Sequence, residues 1–191
     1  MHVAATALNS TMYNPTLYEE IMEDIYELSV SGMFIRGKHV NEFEKAWAGK
    51  CQALHVVGLN SGSDALRLSI RHYKHASGKT LCIIPAMSFA ATATAAIDEG
   101  VDIHFVDVLP NGLYDWDMAL ADANIFVKDY ARIIHIPVHL YGQQCQILTL
   151  SDRDDVVIED ACQAHGALQG VKGAVACYSF YPTKNLGAYG S

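Results

Sequence analysis

LCIIPAMSFAATATAAIDEGVDIHFVDV, residues 81–108, holds two apolar runs on either side of an alanine- and threonine-rich segment. Residues 81–84 and 103–108 are short and rich in branched side chains, as strands are; residues 89–99 between them read as a helix stopped by Gly100. A strand, a helix and a second strand at that spacing make a crossover unit, the connection that parallel strands require. The rhythm continues in both directions. Upstream stand an apolar run at 55–59 and a helical segment at 64–75; downstream come a helix at 115–123 and apolar runs at 133–138, 156–158 and 174–180. This alternation predicts an α/β fold, a mostly parallel sheet covered by helices on both faces.

Nearer the N-terminus, Asn14-Pro15-Thr16 supplies a cap and a first-turn proline ahead of Leu17, Ile21, Ile25 and Leu28, which share one helical face. An amphipathic helix closing near Gly32 is expected there. A shorter one at 40–48 sets Phe43 and Trp47 four apart. Residues 1–30 are accordingly read as an N-terminal helical segment and 31–191 as a partial large domain, with no repeat, low-complexity tract or linker.

The bulk numbers narrow the function classes. Half of the 191 residues are apolar, enough for a buried sheet core. No apolar stretch approaches the roughly 20 residues needed to span a bilayer, and MHVAATALNS lacks the basic-then-apolar order of a leader, so a cytoplasmic location is expected. The five cysteines lack C-x-x-C spacing and read as reduced, mostly buried thiols rather than a disulfide framework or zinc ribbon. A formal charge of −8 weighs against nucleic acid and anionic membranes as partners, while leaving room for a small anionic ligand held locally.

In open parallel sheets, ligands bind where strands run into helices at their carboxyl ends. At Asn60-Ser61-Gly62-Ser63-Asp64, free backbone N–H groups and a helix dipole would face a bound phosphate, Gly62 would allow close approach and Ser63 would add a hydroxyl; plain helix capping is the other reading. Asp160 ends the run 156–158, which puts a carboxylate at the end of a buried strand, either awaiting a cation or capping a helix. Gln163 follows three residues later, on the same face. Phe89 opens the alanine-rich helix and is either a stacking ring or core. Lys184 lies between Pro182-Thr183 and Asn185-Leu186-Gly187, turn-forming residues able to hold an amine inward, the alternative being a solvated surface charge. His135 and His139 are four apart, but Pro137 between them opposes a helix that would present both to a metal, and no metal site is assigned. The turn at 61–63 lacks the lysine of a nucleotide-triphosphate loop and the three spaced glycines of a dinucleotide fold. Phosphate cradle, stacking ring, buried acid and amine together fit one ligand, pyridoxal 5′-phosphate, whose ring nitrogen needs an acid partner and whose aldehyde needs an amine.

Six blocks in order, SGMFIRGKHVNEFEKAWAGKC, VVGLNSGSDALRLSI, IIPAMSFAATATAAIDEGVDIHFVDV, PVHLYGQ, VIEDACQAHGA and CYSFYPTKNLGAYG, resemble the DegT/DnrJ/EryC1/StrS group of pyridoxal-phosphate aminotransferases, which act on keto sugars attached to nucleotides. The resemblance implies the large domain of the fold type I, aspartate-aminotransferase-like transferases. It implies that Gly62, Ser63 and Asp64 form the phosphate turn, that Phe89 stacks on the ring, and that Asp160 partners the ring nitrogen. By the same resemblance Gln163 contacts the phenolic oxygen, Ser179 adds a phosphate-binding hydroxyl, and Lys184 binds the cofactor covalently. Some relatives that dehydrate instead carry histidine at the position of Lys184, so lysine favours transamination. Further expectations from the family are L-glutamate as amino donor, a keto nucleotide-sugar as acceptor and a homodimer. Family members are longer, so the resemblance covers their N-terminal half; a truncated large domain without the small C-terminal domain is expected. The alternative is a catalytically inactive remnant or a non-catalytic interaction subunit of the same fold.

Overall fold

Five short apolar runs pair into one sheet: β1 (Thr80–Pro85), β2 (Asp102–Val106), β3 (Arg132–His135), β4 (Val156–Asp160) and β5 (Val175–Cys177). The computed structural model describes residues 15–148, 150, 154–168 and 170–188. The spatial order is β2-β1-β3-β4-β5 and every pairing is parallel, with Ile83 opposite both His104 and His135, Ile134 opposite Val156 and Asp160 opposite Cys177. This is the predicted parallel sheet.

Both faces of the sheet are covered, and the strand period shows how. Leu81 and Ile83 of β1 enter one cluster with Ile133, Val157 and the helix α5 (Trp116–Phe126), while Cys82 and Ile84 enter another with Ile134 and Ile158. Successive side chains point to opposite faces. The second cluster is roofed by α3 (Gly62–Tyr73), through Leu66 and Ile70, and by α4 (Ala91–Asp98), through Ala95 and Ala96. Each isoleucine fully removed from water contributes about 2 kcal/mol. Gly100, at φ +64°, ends α4 in a backbone conformation that other residues resist, and the chain turns there into β2.

Two further helices precede these: α1 (Pro15–Ser31) and α2 (Lys38–Cys51). The first turns at Gly32, as expected, but buries no residue, and Ile25 on its apolar face is exposed. Asn14, read as its cap, and the rest of 1–14 lie outside the described residues, as do 189–191. In α2, Phe43 and Trp47 stack with ring centroids 6.3 Å apart, and Trp47 is buried against Tyr178 and Phe180. Among the described residues, no helix is long and apolar enough to cross a membrane.

One predicted strand does not form. Residues 55–59 pair with no described strand, and their neighbourhood is open to solvent, with Leu54 93% and Val57 74% exposed. A strand is stable only when its N–H and C=O groups meet a neighbour's. Here Gly58 donates instead to the Glu44 side chain at 2.7 Å.

Candidate functional site

The loops that leave β1, β4 and β5 converge with the start of α3 on one cleft of about 440 Å3. Of the eight site residues expected from the sequence, Gly62, Ser63, Phe89, Asp160, Gln163, Ser179 and Lys184 line it. Asp64 does not. Its carboxylate lies 2.8 Å from the Arg67 guanidinium, and hydrogen bonds from Asn60 and then Arg67 hold it below its ordinary range.

The start of α3 is built by Ser61 and Gly62. Ser61 is extended, and its Oγ accepts the Asp64 N–H at 3.1 Å, capping a helix that begins at Gly62, two residues earlier than the sequence pattern placed it. Helix geometry leaves the N–H groups of Gly62 and Ser63 without helical carbonyls, at the positive end of the dipole. Gly62 is there for space. A Cβ on it would stand 2.8 Å from Cys162 Sγ and 2.8 Å from Ser179 Cβ, so only glycine brings this helix end against the walls formed after β4 and β5. The capping reading of this turn is thus met by Ser61, and Gly62 and Ser63 line the cleft beside it.

Asp160 is the last residue of β4 and only 5% exposed. Its backbone is fixed on both sides, with its N–H donating to the Pro137 carbonyl and its own carbonyl accepting from the His139 N–H, each at 3.0 Å. The Thr92 hydroxyl donates to Oδ2 at 2.8 Å and the Cys162 N–H to Oδ1 at 3.2 Å. Both donors are neutral. Among the described residues no cation is within ion-pair distance of this carboxylate. The neighbouring Glu159 points the other way and is fully buried beside His139, whose Nε2 lies 2.9 Å from Glu159 Oε2. Glu159 Oε1 accepts the Lys172 and Gly173 N–H groups at 2.6 Å each. Burial alone would push this carboxyl up, but His139 and the two backbone donors outweigh it and hold it low. Cys145 N–H donates to His139 Nδ1 at 2.9 Å, so the ring's Nε2 proton points at Glu159. The pair ties β4 to two loops beneath the cleft. His135, the other histidine of the four-residue spacing, instead meets the Tyr114 hydroxyl at 3.0 Å.

The remaining groups are positioned by turns. Gln163 Oε1 accepts the N–H of Tyr141, a residue held at φ 57°, which leaves the amide nitrogen of Gln163 free to donate. Ser179 is buried, and its Oγ accepts the Tyr181 N–H at 3.3 Å. Beyond it the chain folds back on itself, with Lys184 N–H to the Tyr181 carbonyl and Ala188 N–H to the Phe180 carbonyl, both at 2.8 Å. Gly187 permits that fold, because any Cβ there would collide with the Pro182 carbonyl. Lys184 is half-buried, and its charge is felt inside. Burial and then the Asp160 charge push the Cys162 thiol far up, and Lys184 opposes them; burial pulls His165 down, and Lys184 adds to that. Phe89 is 68% exposed where it lines the cleft. Thr92 was missed in the sequence, although its place three residues after Phe89, inside the alanine-rich helix, marks it as a polar group turned toward the same loops.

Comparison with known proteins follows the same outline. The model of the DegT/DnrJ/EryC1/StrS aminotransferase family matches residues 15–191. A pleiotropic regulatory protein of Geobacillus stearothermophilus is 39% identical over 183 residues, 91% of this chain and 48% of its own length. A UDP-N-acetyl-3-dehydro-alpha-D-glucosamine 3-aminotransferase of Acidithiobacillus ferrooxidans is 38% identical over 183 residues, with the same shares. The crystal structure of a DegT DnrJ EryC1 StrS aminotransferase from Brucella abortus superposes with a TM-score of 0.81 at 29% identity, covering 92% of this chain and 50% of that one. The chain thus spans about half the length of the curated relatives it matches.

Proposed function

Because this chain belongs to the DegT/DnrJ/EryC1/StrS aminotransferase family, we propose that its cleft holds pyridoxal 5′-phosphate and serves amino transfer from an amino-acid donor to a keto nucleotide-sugar. One observation carries the reading. Asp160 is a buried carboxylate at the cleft with only neutral donors on its oxygens, so its charge calls for a cation from the ligand. A protonated pyridine nitrogen is such a cation. The rest of the donor set agrees: a helix end suited to an anion at Gly62 and Ser63, a hydroxyl at Ser179, an amide donor at Gln163, an exposed aromatic side chain at Phe89 and an amine at Lys184.

Bound pyridoxal 5′-phosphate supplies an aldehyde that takes up nitrogen and a ring that accepts electrons. The chain does the rest. The N–H groups of Gly62 and Ser63, with the Ser63 and Ser179 hydroxyls, bind the phosphate dianion and fix the ring's position. Asp160 keeps the ring nitrogen charged, which is what makes the ring an electron sink. Lys184 would bind the aldehyde carbon through its Nζ, and the same amine, when free, would be the group placed to hold or release a proton beside the ring. Gln163 orients the ring by its free amide N–H.

The donor assigned by family likeness is L-glutamate, and the sugar-aminotransferase relative supports a nucleotide-linked keto sugar as acceptor. A homodimer is the expected working form. A second reading, a non-catalytic subunit of the same fold, is favoured by the exposure of Phe89, 68% open to solvent at the cleft. Borohydride reduction of the protein with pyridoxal 5′-phosphate, followed by peptide mapping, separates the two. A single modified residue, Lys184, lost in Lys184→Ala, is expected; no adduct, or an adduct on another lysine, overturns the enzymatic reading.

A further inference from the structure

We propose that Thr92 is a positioning residue for Asp160: its hydroxyl, donated to Oδ2, aims the carboxylate at the ring nitrogen of the cofactor. This rests on the cofactor reading above. Thr92 is fully buried in the first turn of α4, yet its hydroxyl bonds to no carbonyl of its own helix, the common outcome for threonine within one. It reaches 68 residues along the chain to Asp160 Oδ2, at 2.8 Å. A hydroxyl has one proton, and an ionised carboxylate can only accept, so Thr92 donates and its oxygen is left as an acceptor. Ser88 Oγ fills that role at 2.9 Å, the same distance at which it reaches the Phe89 carbonyl.

The direction of the Thr92 bond is therefore fixed, with its proton pointing toward the acid, while the single Ser88 proton has two acceptors at equal distance, Thr92 Oγ1 and the Phe89 carbonyl. Threonine is also β-branched, with few side-chain orientations open to it in a helix, so its oxygen is held where the carboxylate needs it. With Cys162 N–H on Oδ1, each carboxylate oxygen has one fixed donor, and the plane of the group cannot turn without losing one of them. Removing the Thr92 hydroxyl frees that rotation inside a buried site. The cost appears only for a ligand that uses the carboxylate.

The test compares two ligands on the full chain. One is pyridoxal 5′-phosphate; the other is its 1-deaza analogue, in which a C–H replaces the ring nitrogen. Thr92→Val keeps the shape and drops the hydroxyl. It is expected to weaken pyridoxal 5′-phosphate about tenfold, the size of a hydrogen bond to a charged group, and to leave the analogue unchanged; Thr92→Ser restores the wild-type preference. A merely structural role would weaken both ligands equally, and equal losses or no loss overturn the assignment. Thr92→Ala repeats the comparison should valine fail to fold. The borohydride adduct on Lys184 of the unmodified chain is scored in parallel. Its absence sinks the cofactor reading and this assignment together, whereas an adduct with an unchanged ligand preference in Thr92→Val sinks this assignment alone.

Discussion

Replacing Gly62 by alanine tests whether the helix end must touch the walls of the cleft. The new methyl would stand 2.8 Å from Cys162 Sγ, 2.8 Å from Ser179 Cβ and 3.2 Å from the Tyr178 carbonyl oxygen. Carbon contacts are comfortable at about 3.5–4.0 Å, so two walls at 2.8 Å are too close by roughly 0.7–1.2 Å. Neither wall yields easily. Ala161 N–H donates to the Cys177 carbonyl at 2.8 Å, and Ser179 stands two residues beyond the end of β5. The first turn of α3 must therefore back away, an overpacking cost of about 1–3 kcal/mol. Alanine's better helix propensity returns up to about 1 kcal/mol. A net loss of about 1–2 kcal/mol remains, which at this chain length lowers the melting temperature by roughly 2–8 °C. Phosphate binding should suffer more, since a shift of about 1 Å in a positioning group can cost on the order of a hundredfold. Thermal unfolding followed by circular dichroism, with a pyridoxal 5′-phosphate titration, reads both quantities. Adding Cys162→Ala should recover part of the stability loss by removing one wall. Wild-type melting and wild-type affinity in Gly62→Ala would refute the close approach.

Other consequences follow from the same contacts. Ile134→Ala removes a fully buried side chain beneath α3 and α4 and should cost about 2–5 kcal/mol in urea unfolding, with Ile134→Val costing about 0.5–1.5. His139→Ala leaves the fully buried Glu159 without its ring partner and should destabilise by about 3–5 kcal/mol; a loss under about 1 kcal/mol would show that the pair is not what holds β4 to its loops. Glu159 is held below its ordinary value of 4.5 in the folded chain, so the unfolded chain takes up that proton first as pH falls. Its contribution to stability is complete above the unfolded value and is lost as pH falls through the lower folded one. Urea unfolding between pH 7 and pH 3 should therefore show a shallower acid limb in Glu159→Gln than in the wild type.

Local pattern was enough for most elements, because strand and helix periods are written into neighbouring residues. The run 81–108 specified β1, α4 and β2 by itself, and the glycine that ends α4 was visible as Gly100. Residues 55–59 show the limit. Their composition is that of a strand, but a strand exists only with a partner, and no described strand pairs with them. Asp64 shows another: its place in the turn was legible, and its capture by Arg67 one helical turn on was not weighed.

That Lys184, Asp160, Gln163 and the glycine turn would meet at one cleft was likewise legible in the sequence. They stand in loops that any parallel sheet gathers at one end, so their chemistry could be assembled before their coordinates. The arrangement of their supports could not. That Gly62 touches Cys162 and Ser179, that Thr92 donates to Asp160, and that Glu159 turns away from the cleft toward His139 are contacts between segments far apart in the chain. Side-chain period fixes which face a residue takes; which distant partner waits on that face is decided only when the sheet and its helices pack.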